Sequence, residues 1–284
     1  MKKLPDWFKQ EIPQARVFSR MEELTRYSVS TVCREARCPN LNNCLSRGRV
    51  TFLILGNVCT RGCRFCCVKK NFLKLAFDPG EPLRVARAAR DIGIKYAVIT
   101  SVTRDDLSDG GAAVFAETVR RLRAEGIGSE LLIPDFKGQA QALQLIIDSS
   151  PLVVAHNLET VKRLYAGLRP QADYARSLMV LRKIKQLSGN VITKSSLMLG
   201  FGEREAEVVE AMRDLRYNYC DIVTFGQYLA PTPGHYPVKE FINPAQFDRY
   251  RDIGESLGFK KVLSAPLARS SFLAEEVYQE LSHV

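Results

Sequence analysis

The sequence predicts an α/β protein, a partial (β/α)6 barrel of the TIM-like kind with an extension at each end. Short apolar runs rich in β-branched residues recur along the chain, and stretches of helical periodicity lie between them. Strands that alternate with helices form parallel βαβ units with right-handed crossovers. The alternation continues from residue 51 to residue 258, which suits one incomplete barrel better than two separate domains.

Seven apolar runs are predicted strands. They are TFLILG (51–56), KYAVIT (95–100), SELLIP (129–134), PLVVAHN (151–157), VITKSSLML (191–199), CDIVTFGQ (220–227) and KKVLSAP (260–266). The helices are predicted from apolar residues at helical spacing, as in AAVFAETVRRLRAEG (112–126), which Gly126 ends. We place the barrel at 49–258, between an N-terminal extension (1–48) and a C-terminal extension (259–284).

The composition favours a globular protein of the cytoplasm. The chain has 284 residues, of which 46% are hydrophobic, enough for a large core. No apolar run is long enough to span a bilayer, and the opening MKKLPDWFKQEIP lacks the apolar centre of a secretory signal. Because cytosolic thiols stay reduced, structural disulfides are disfavoured.

The net charge of +10 is confined to the first quarter of the chain. Residues 1–74 hold 15 Lys and Arg against five acidic residues, together with seven of the eight cysteines. Such a basic region attracts an acidic partner, which could be a nucleic acid, an anionic small molecule or an acidic protein. A solvated basic surface is the simpler alternative.

Six of those cysteines form two triplets. The triplets are C-x4-C-x5-C (Cys33, Cys38, Cys44) and C-x3-C-x2-C (Cys59, Cys63, Cys66). A closed zinc site needs four ligands, and neither triplet has a fourth cysteine or a nearby histidine. A four-iron cluster held by three thiolates leaves one iron open to another ligand. The count therefore favours iron–sulfur clusters over zinc or disulfides.

The second triplet follows the first predicted barrel strand, at the end where barrel active sites lie. Other polar residues at predicted strand ends are candidates for cofactor contacts: Thr100, Ser101, Asn157, Glu159 and Lys194. For each of them a capping or turn role is an equal alternative. The turn GFGE (200–203) adds Glu203, and Asp105 and Asp106 are predicted caps of the following helix. We expect Cys67 and Cys220 only to pack.

The C-x3-C-x2-C triplet after a first strand resembles the signature of radical S-adenosylmethionine (SAM) enzymes. This resemblance implies that the open iron chelates the amino and carboxylate groups of SAM. One electron from the cluster then cleaves SAM to a 5′-deoxyadenosyl radical, which abstracts a hydrogen atom from the substrate. The cofactor thus supplies the radical chemistry.

A longer set of motifs is similar to the lipoyl synthase family. It comprises CREARCPNLNNC, CTRGCRFC, TSVTRDDLSDGGA, PDFKG, HNLET, TKSSLMLGFGE, QYLAPT and APLARSSF, in this order. The resemblance implies insertion of two sulfur atoms at C6 and C8 of a protein-bound octanoyl group. It also implies two [4Fe-4S] clusters, the second of which donates sulfur and is held by Cys33, Cys38, Cys44 and Ser271. Ser270 is the alternative ligand, and capping of the last helix is the alternative role for both serines.

The same resemblance implies the partners. They are an octanoylated lipoyl carrier domain or H protein, an electron donor such as ferredoxin or flavodoxin, and an iron–sulfur carrier protein, with no nucleic acid and no membrane. Another sulfur-inserting radical enzyme with a different acceptor, and a zinc-stabilised nucleic-acid-binding protein, are the alternatives. The sequence departs from the family pattern without losing a ligand at Asn43, Leu45, Cys67, Ser196, Ala265 and Phe272.

Overall fold

The computed structural model describes residues 3–9, 15–36, 38–71, 76 and 78–282. The helices are α1 (Ala15–Arg26), α2 (Val32–Glu35), α3 (Leu41–Ser46), α4 (Glu81–Asp91), α5 (Ala112–Ala124), α6 (Ala140–Asp148), α7 (Tyr165–Leu168), α8 (Tyr174–Leu187), α9 (Glu205–Tyr217), α10 (Pro244–Ser256) and α11 (Ala274–Ser282). The strands are β1 (Ser30–Thr31), β2 (Thr51–Ile54), β3 (Val58–Cys59), β4 (Lys69–Lys70), β5 (Tyr96–Ser101), β6 (Gly128–Leu132), β7 (Val153–Ala155), β8 (Ile192–Leu199), β9 (Ile222–Gln227) and β10 (Lys261–Ser264).

The chain forms two compact units. The N-terminal unit comprises residues 11–61 and 67–154, and the C-terminal unit comprises residues 1–10, 62–66 and 155–284. The short segment 62–66, which carries two cysteines of the second triplet, therefore belongs to the C-terminal unit although the sequence around it belongs to the other.

The N-terminal unit contains a mainly parallel sheet. Strand β1 pairs antiparallel with β2, whereas β2 with β5 and β5 with β6 are parallel. Helix α5 buries Val114, Phe115, Val119 and Leu122 along one face, as its helical spacing predicts. Gly111 begins this helix at φ 91°, where a Cβ atom would lie 2.3 Å from the Leu55 side chain. A side chain is excluded there by both backbone and space.

The C-terminal unit contains the parallel strands β8, β9 and β10 in that order. Its core combines strand residues such as Leu197 and Phe225 with the inner faces of α8, α9 and α10. Asp173 and Asn243 cap α8 and α10 by accepting hydrogen bonds from Arg176 N and Ala245 N. These caps fix where the helices begin relative to the strands that carry the polar residues described below.

All seven predicted strands are present: six are shortened by one to four residues, and the strand predicted at 95–100 is shifted by one residue to Tyr96–Ser101. The sequence missed β1, β3 and β4, which have only two residues each. The predicted caps Asp105 and Asp106 are wrong: α5 begins at Ala112, and Asp109 accepts hydrogen bonds from Gly111 N and Ala113 N. The proposed boundaries at 48 and 258 stay a prediction. Within the described part of the chain no helix is long and apolar enough to cross a membrane.

Candidate functional site

The first cysteine triplet belongs to the N-terminal unit, with two of its cysteines on short helices. Cys33 is in α2 and Cys44 is in α3, and Cys38 lies between the two helices. Thr31 caps α2 by accepting a hydrogen bond from Arg34 N at 3.3 Å. Cys38 N donates to Cys33 O at 3.3 Å, so this backbone hydrogen bond holds Cys38 close to α2.

Burial dominates the electrostatics of this triplet. Burial, with a smaller contribution from the Cys38 and Cys44 thiols, raises the pKa of Cys33 to about 12. Burial likewise raises the pKa of Cys44 to about 11, although Arg49 and Arg47 act in the opposite direction. Cys33 and Cys44 are therefore protonated at neutral pH until a metal supplies the countercharge.

The second triplet begins in a different setting, at strand β3. The Sγ atom of Cys59 accepts hydrogen bonds from Thr103 N at 3.3 Å and from Arg61 N at 3.4 Å. Thr60 fixes this arrangement, since its N and its Oγ1 both donate to Thr103 O and its Oγ1 accepts from Asp105 N. Backbone donors aimed at a sulfur stabilise its thiolate form.

A buried ion-pair cluster anchors the same turn. Arg61 Nε and Nη2 donate to the Asp105 carboxylate at 2.7 and 2.9 Å, and Nη2 also donates to Asp135 at 2.7 Å. Arg61 is 5% exposed and Asp135 is 1% exposed. Burial lowers the pKa of Arg61, but its bonds to both carboxylates raise it overall. We call these three residues the Arg61 clamp.

The segment 62–66 is held within the C-terminal unit. Arg64 N donates to Leu168 O at 2.9 Å, and Arg64 O accepts from Tyr236 N at 3.0 Å. His235 Nε2 lies 3.2 Å from Cys66 O. The loop backbone is thereby held at Arg64 by bonds to both of its neighbours in this unit.

Arg169 stands beside Cys63. Its Nη1 donates to Tyr165 OH at 2.7 Å, to Leu158 O at 3.0 Å and to Asn157 O at 3.1 Å. Burial lowers the pKa of Arg169, but Tyr165, Glu159 and a hydrogen bond with Cys63 raise it overall. The guanidinium places a positive charge next to a cysteine of the second triplet.

Asn157 and Glu159 form a polar pair just after β7. Asn157 Nδ2 donates to Glu159 Oε1 at 3.0 Å, and Asn157 Oδ1 accepts from Ser270 Oγ at 3.1 Å. Glu159 has φ 67°, a left-handed conformation that is uncommon outside glycine. Backbone bonds to Ser196 and Met198 hold it there. Burial raises the pKa of Glu159, against the influence of Arg169 and Asn157.

The other predicted contact residues have varied surroundings. Thr100 Oγ1 donates to Leu132 O, and Lys194 is fully buried on β8. The Ser101 hydroxyl is buried without a hydrogen-bond partner among the described residues. Glu203 accepts hydrogen bonds from Gly200 N and Phe201 N, so it braces its own turn.

The segment carrying Ser271 connects β10 to α11. Helix α11 begins at Ala274, which puts Leu273, with φ 53°, at the capping position. Ser270 and Ser271 lie too early in the chain for that role. Gly226 on β9 passes so close to this segment that a Cβ atom would lie 1.9 Å from Ala268 O.

All eight cysteines are free thiols, and Cys220 is fully buried as expected. Among the described residues no three His, Cys, Asp or Glu side chains stand ready to hold one metal ion. Two sets of three soft thiols are nevertheless the donor chemistry that iron–sulfur clusters require. The sequence did not predict the Arg61 clamp, Arg169 or Gly226 as parts of the site. The only local signs of the two arginines are their positions, between cysteines in CTRGC and before proline in LRP.

Comparison with known proteins defines first the class and then the family. The Radical SAM superfamily model matches residues 53–215, so the chain is of the radical SAM class. Lipoyl synthase from Caldanaerobacter subterraneus subsp. tengcongensis is 49% identical over 273 residues, covering 95% of each chain. Lipoyl synthase from Caldicellulosiruptor bescii is 48% identical over 286 residues, covering 99% of this chain and 98% of that protein. The chain belongs to the lipoyl synthase family.

The structure is also similar to the crystal structure of methylornithine synthase. The TM-score is 0.55 at 15% identity, covering 89% of this chain and 82% of that one. This likeness confirms the predicted fold class, a partial α/β barrel. Family membership confirms the predicted sulfurtransferase activity and the need for [4Fe-4S] clusters and SAM, and it implies an octanoyl-carrying substrate. It sets aside the zinc and nucleic-acid alternative.

Proposed function

We propose that the two cysteine triplets divide the work of sulfur insertion at C6 and C8 of a carrier-bound octanoyl group. One cluster, which binds SAM, is assigned to the second triplet: Cys59, Cys63 and Cys66. The other, which is consumed as the sulfur donor, is assigned to the first triplet and one serine: Cys33, Cys38, Cys44 and Ser271. One contrast supports this division. In the first triplet the Cys33 thiol is buried and protonated, whereas in the second triplet Cys59 accepts a hydrogen bond from Thr103 N and Cys63 lies beside the Arg169 cation.

The surroundings of the second triplet suit a cluster that is kept. When bound, the cluster supplies the electron that cleaves SAM. The N–H groups of Thr103 and Arg61 stabilise negative charge on the Cys59 sulfur, and Arg169 does so at Cys63. The Arg61 clamp holds this turn through a buried side chain.

The first triplet suits a cluster that is given up. Three thiolates are soft ligands, whereas a serine alkoxide is a hard ligand and the easiest one to lose. Arg269, two residues before Ser271, lowers the cost of an alkoxide because a neighbouring cation favours the charged form. A cluster with one easily lost serine ligand releases sulfur more readily than a cluster held by four thiolates.

The remaining predicted residues would contact SAM or the substrate: Thr100, Ser101, Asn157, Glu159, Lys194 and Glu203. Support is strongest for Asn157 and Glu159, which form a bonded pair at a strand end with a strained backbone. Glu203 would contribute by shaping the pocket through its turn, because it accepts hydrogen bonds from two backbone N–H groups there.

We further propose that the basic first quarter docks an acidic lipoyl carrier domain or H protein in the cytoplasm. A ferredoxin or flavodoxin would supply electrons, and an iron–sulfur carrier protein would rebuild the consumed cluster. Charge steering weakens as salt screens it over roughly 8–10 Å. Turnover on a carrier protein should therefore fall more steeply with salt than turnover on a short neutral octanoylated peptide. Equal slopes would contradict the docking.

Substitution of Ser271 tests the assignment of the two clusters. Protein reconstituted anaerobically with iron and sulfide should hold about eight irons, and mass analysis of an octanoylated peptide then follows product formation. In Ser271→Cys the cluster should be kept while sulfur donation slows strongly, because the labile corner has become a thiolate. Product formation at the unaltered rate, with both clusters present, would overturn the role of Ser271.

A further inference from the structure

Ser270, the residue before the proposed ligand, has a bonding partner of its own. Its hydroxyl donates to Asn157 Oδ1 at 3.1 Å, a contact that joins residues 113 positions apart within the C-terminal unit. Phe272 N donates to Arg269 O at 2.9 Å, closing a turn with Ser270 and Ser271 at its centre. Because Ser270 and Ser271 share this closed turn, a bond that holds Ser270 also restrains the backbone that carries Ser271.

The preceding part of the segment is fixed by backbone contacts. Ala265 N donates to Phe225 O at 3.2 Å, and Gln227 N donates to Pro266 O at 3.0 Å. The close approach of Ala268 O to Gly226 holds the next step against β9. The Ser270–Asn157 bond continues this anchoring into the turn itself.

Both the nitrogen and the oxygen of the Asn157 carboxamide form hydrogen bonds. Its Nδ2 group donates to Glu159 Oε1 at 3.0 Å. Its Oδ1 is the atom that faces Ser270. The backbone oxygen of Asn157 accepts from Arg169, which also contacts Cys63. An unbroken run of polar contacts thus leads from Cys63 to the residue beside Ser271.

We infer that Ser270 and Asn157 are positioning residues that couple the SAM-binding strand end to the serine ligand of the sulfur-donating cluster. The inference rests on the proposed role of Ser271. A ligand that hydrogen-bonds to the Asn157 carboxamide competes with the bond that holds Ser270. Binding of SAM therefore changes how firmly Ser271 closes the donor cluster, so that the labile corner is adjusted when the radical site is loaded.

The test follows the donor cluster rather than turnover. Protein with both clusters is labelled with 57Fe, and Mössbauer spectra report the iron that carries an oxygen ligand, whose parameters differ from those of thiolate-bound iron. Iron release to a ferrous chelator is then timed with and without SAM. The variants are Ser270→Ala and the hydroxyl-retaining Ser270→Thr. Ser264→Ala is the matched control, since its hydroxyl bonds Phe247 O elsewhere in the same unit.

In Ser270→Ala we expect the oxygen-ligated signal to weaken and iron release to quicken roughly fivefold, the factor that one typical hydrogen bond supports. The response of that rate to SAM should disappear. Ser270→Thr and Ser264→Ala should behave as the unaltered protein. Asn157→Ala breaks the same bond from the other side and should reproduce the change in the Mössbauer signal.

Two outcomes would overturn different statements. If Ser271→Ala leaves the oxygen-ligated signal intact, Ser271 is not the ligand and the proposed assignment fails. If Ser271→Ala removes the signal while Ser270→Ala and Asn157→Ala keep both the signal and the SAM response, the positioning inference alone is wrong.

Discussion

The two cysteine triplets place the same side chain in different electrostatic surroundings. The first lies on the short helices α2 and α3, where burial raises the pKa of Cys33 and Cys44. The second lies in a loop where Cys59 receives two N–H donors and Cys63 has Arg169 beside it. We expect a triplet that is costly to ionise to hold its cluster less firmly than one that has N–H donors and a cation beside its sulfur atoms.

We expect this difference to let one chain keep one cluster and spend another. Net charge and hydrogen bonds to the sulfur atoms tune the reduction potential of an iron–sulfur cluster. In the proposed assignment, the surroundings of each triplet, rather than the cysteine spacing, separate the two fates.

Removing each triplet should have the largest effect. Replacing Cys59, Cys63 and Cys66 by alanine should halve the iron content and abolish SAM cleavage. Replacing Cys33, Cys38 and Cys44 should also halve the iron, but abortive cleavage to 5′-deoxyadenosine should continue because the first step does not need the donor cluster. Iron analysis and chromatography of the nucleoside products measure both. Lipoyl product from the second variant would show that Cys33, Cys38 and Cys44 do not hold the sulfur donor, so the assignment of roles would be wrong.

The Arg61 clamp should dominate the stability of the loop. Arg61→Ala leaves Asp135 buried without its cation, which typically costs about 3–5 kcal/mol. Arg84→Ala, the control, breaks the exposed pair with Asp78 and should cost about 0–1 kcal/mol. Denaturant unfolding of the protein measures both. Equal losses would mean that the clamp does not hold the turn.

The sequence predicted the fold well because periodicity and length determine it. All seven strands that were predicted from apolar runs are present in the structure. Strand β3 was not predicted, since its two residues carry no pattern. Cysteine spacing likewise predicted iron–sulfur clusters. The Arg61–Asp135 contact joins residues 74 positions apart, and the Ser270–Asn157 contact 113, so no local pattern indicates them. Such contacts depend on how the strands meet.

The smallest effect concerns the reactivity of the metal-free protein. The thiolate form reacts with alkylating agents, and its fraction rises tenfold per pH unit below the pKa. Since the pKa of Cys33 is about 12, its alkylation should keep accelerating from pH 7 to pH 11, whereas an ordinary thiol levels off above about pH 9. Mass spectrometry of tryptic peptides gives the rate at each pH. A plateau near pH 9 for Cys33 would contradict its burial.

The fate of each cluster during one turnover tests the division of labour most directly. The Cys33–Cys38–Cys44 cluster can be built with 34S in the Cys59/Cys63/Cys66→Ala variant, and the same labelling applied to the unaltered protein marks both clusters. After one turnover of the unaltered protein, iron lost from each site is followed by Mössbauer spectroscopy and the product by mass spectrometry. We expect two 34S atoms in each lipoyl group. The Mössbauer spectrum of the donor cluster, as recorded in the Cys59/Cys63/Cys66→Ala variant, should be lost, and the spectrum of the other cluster should be retained. Loss of the spectrum that belongs to Cys59, Cys63 and Cys66 would contradict this expectation.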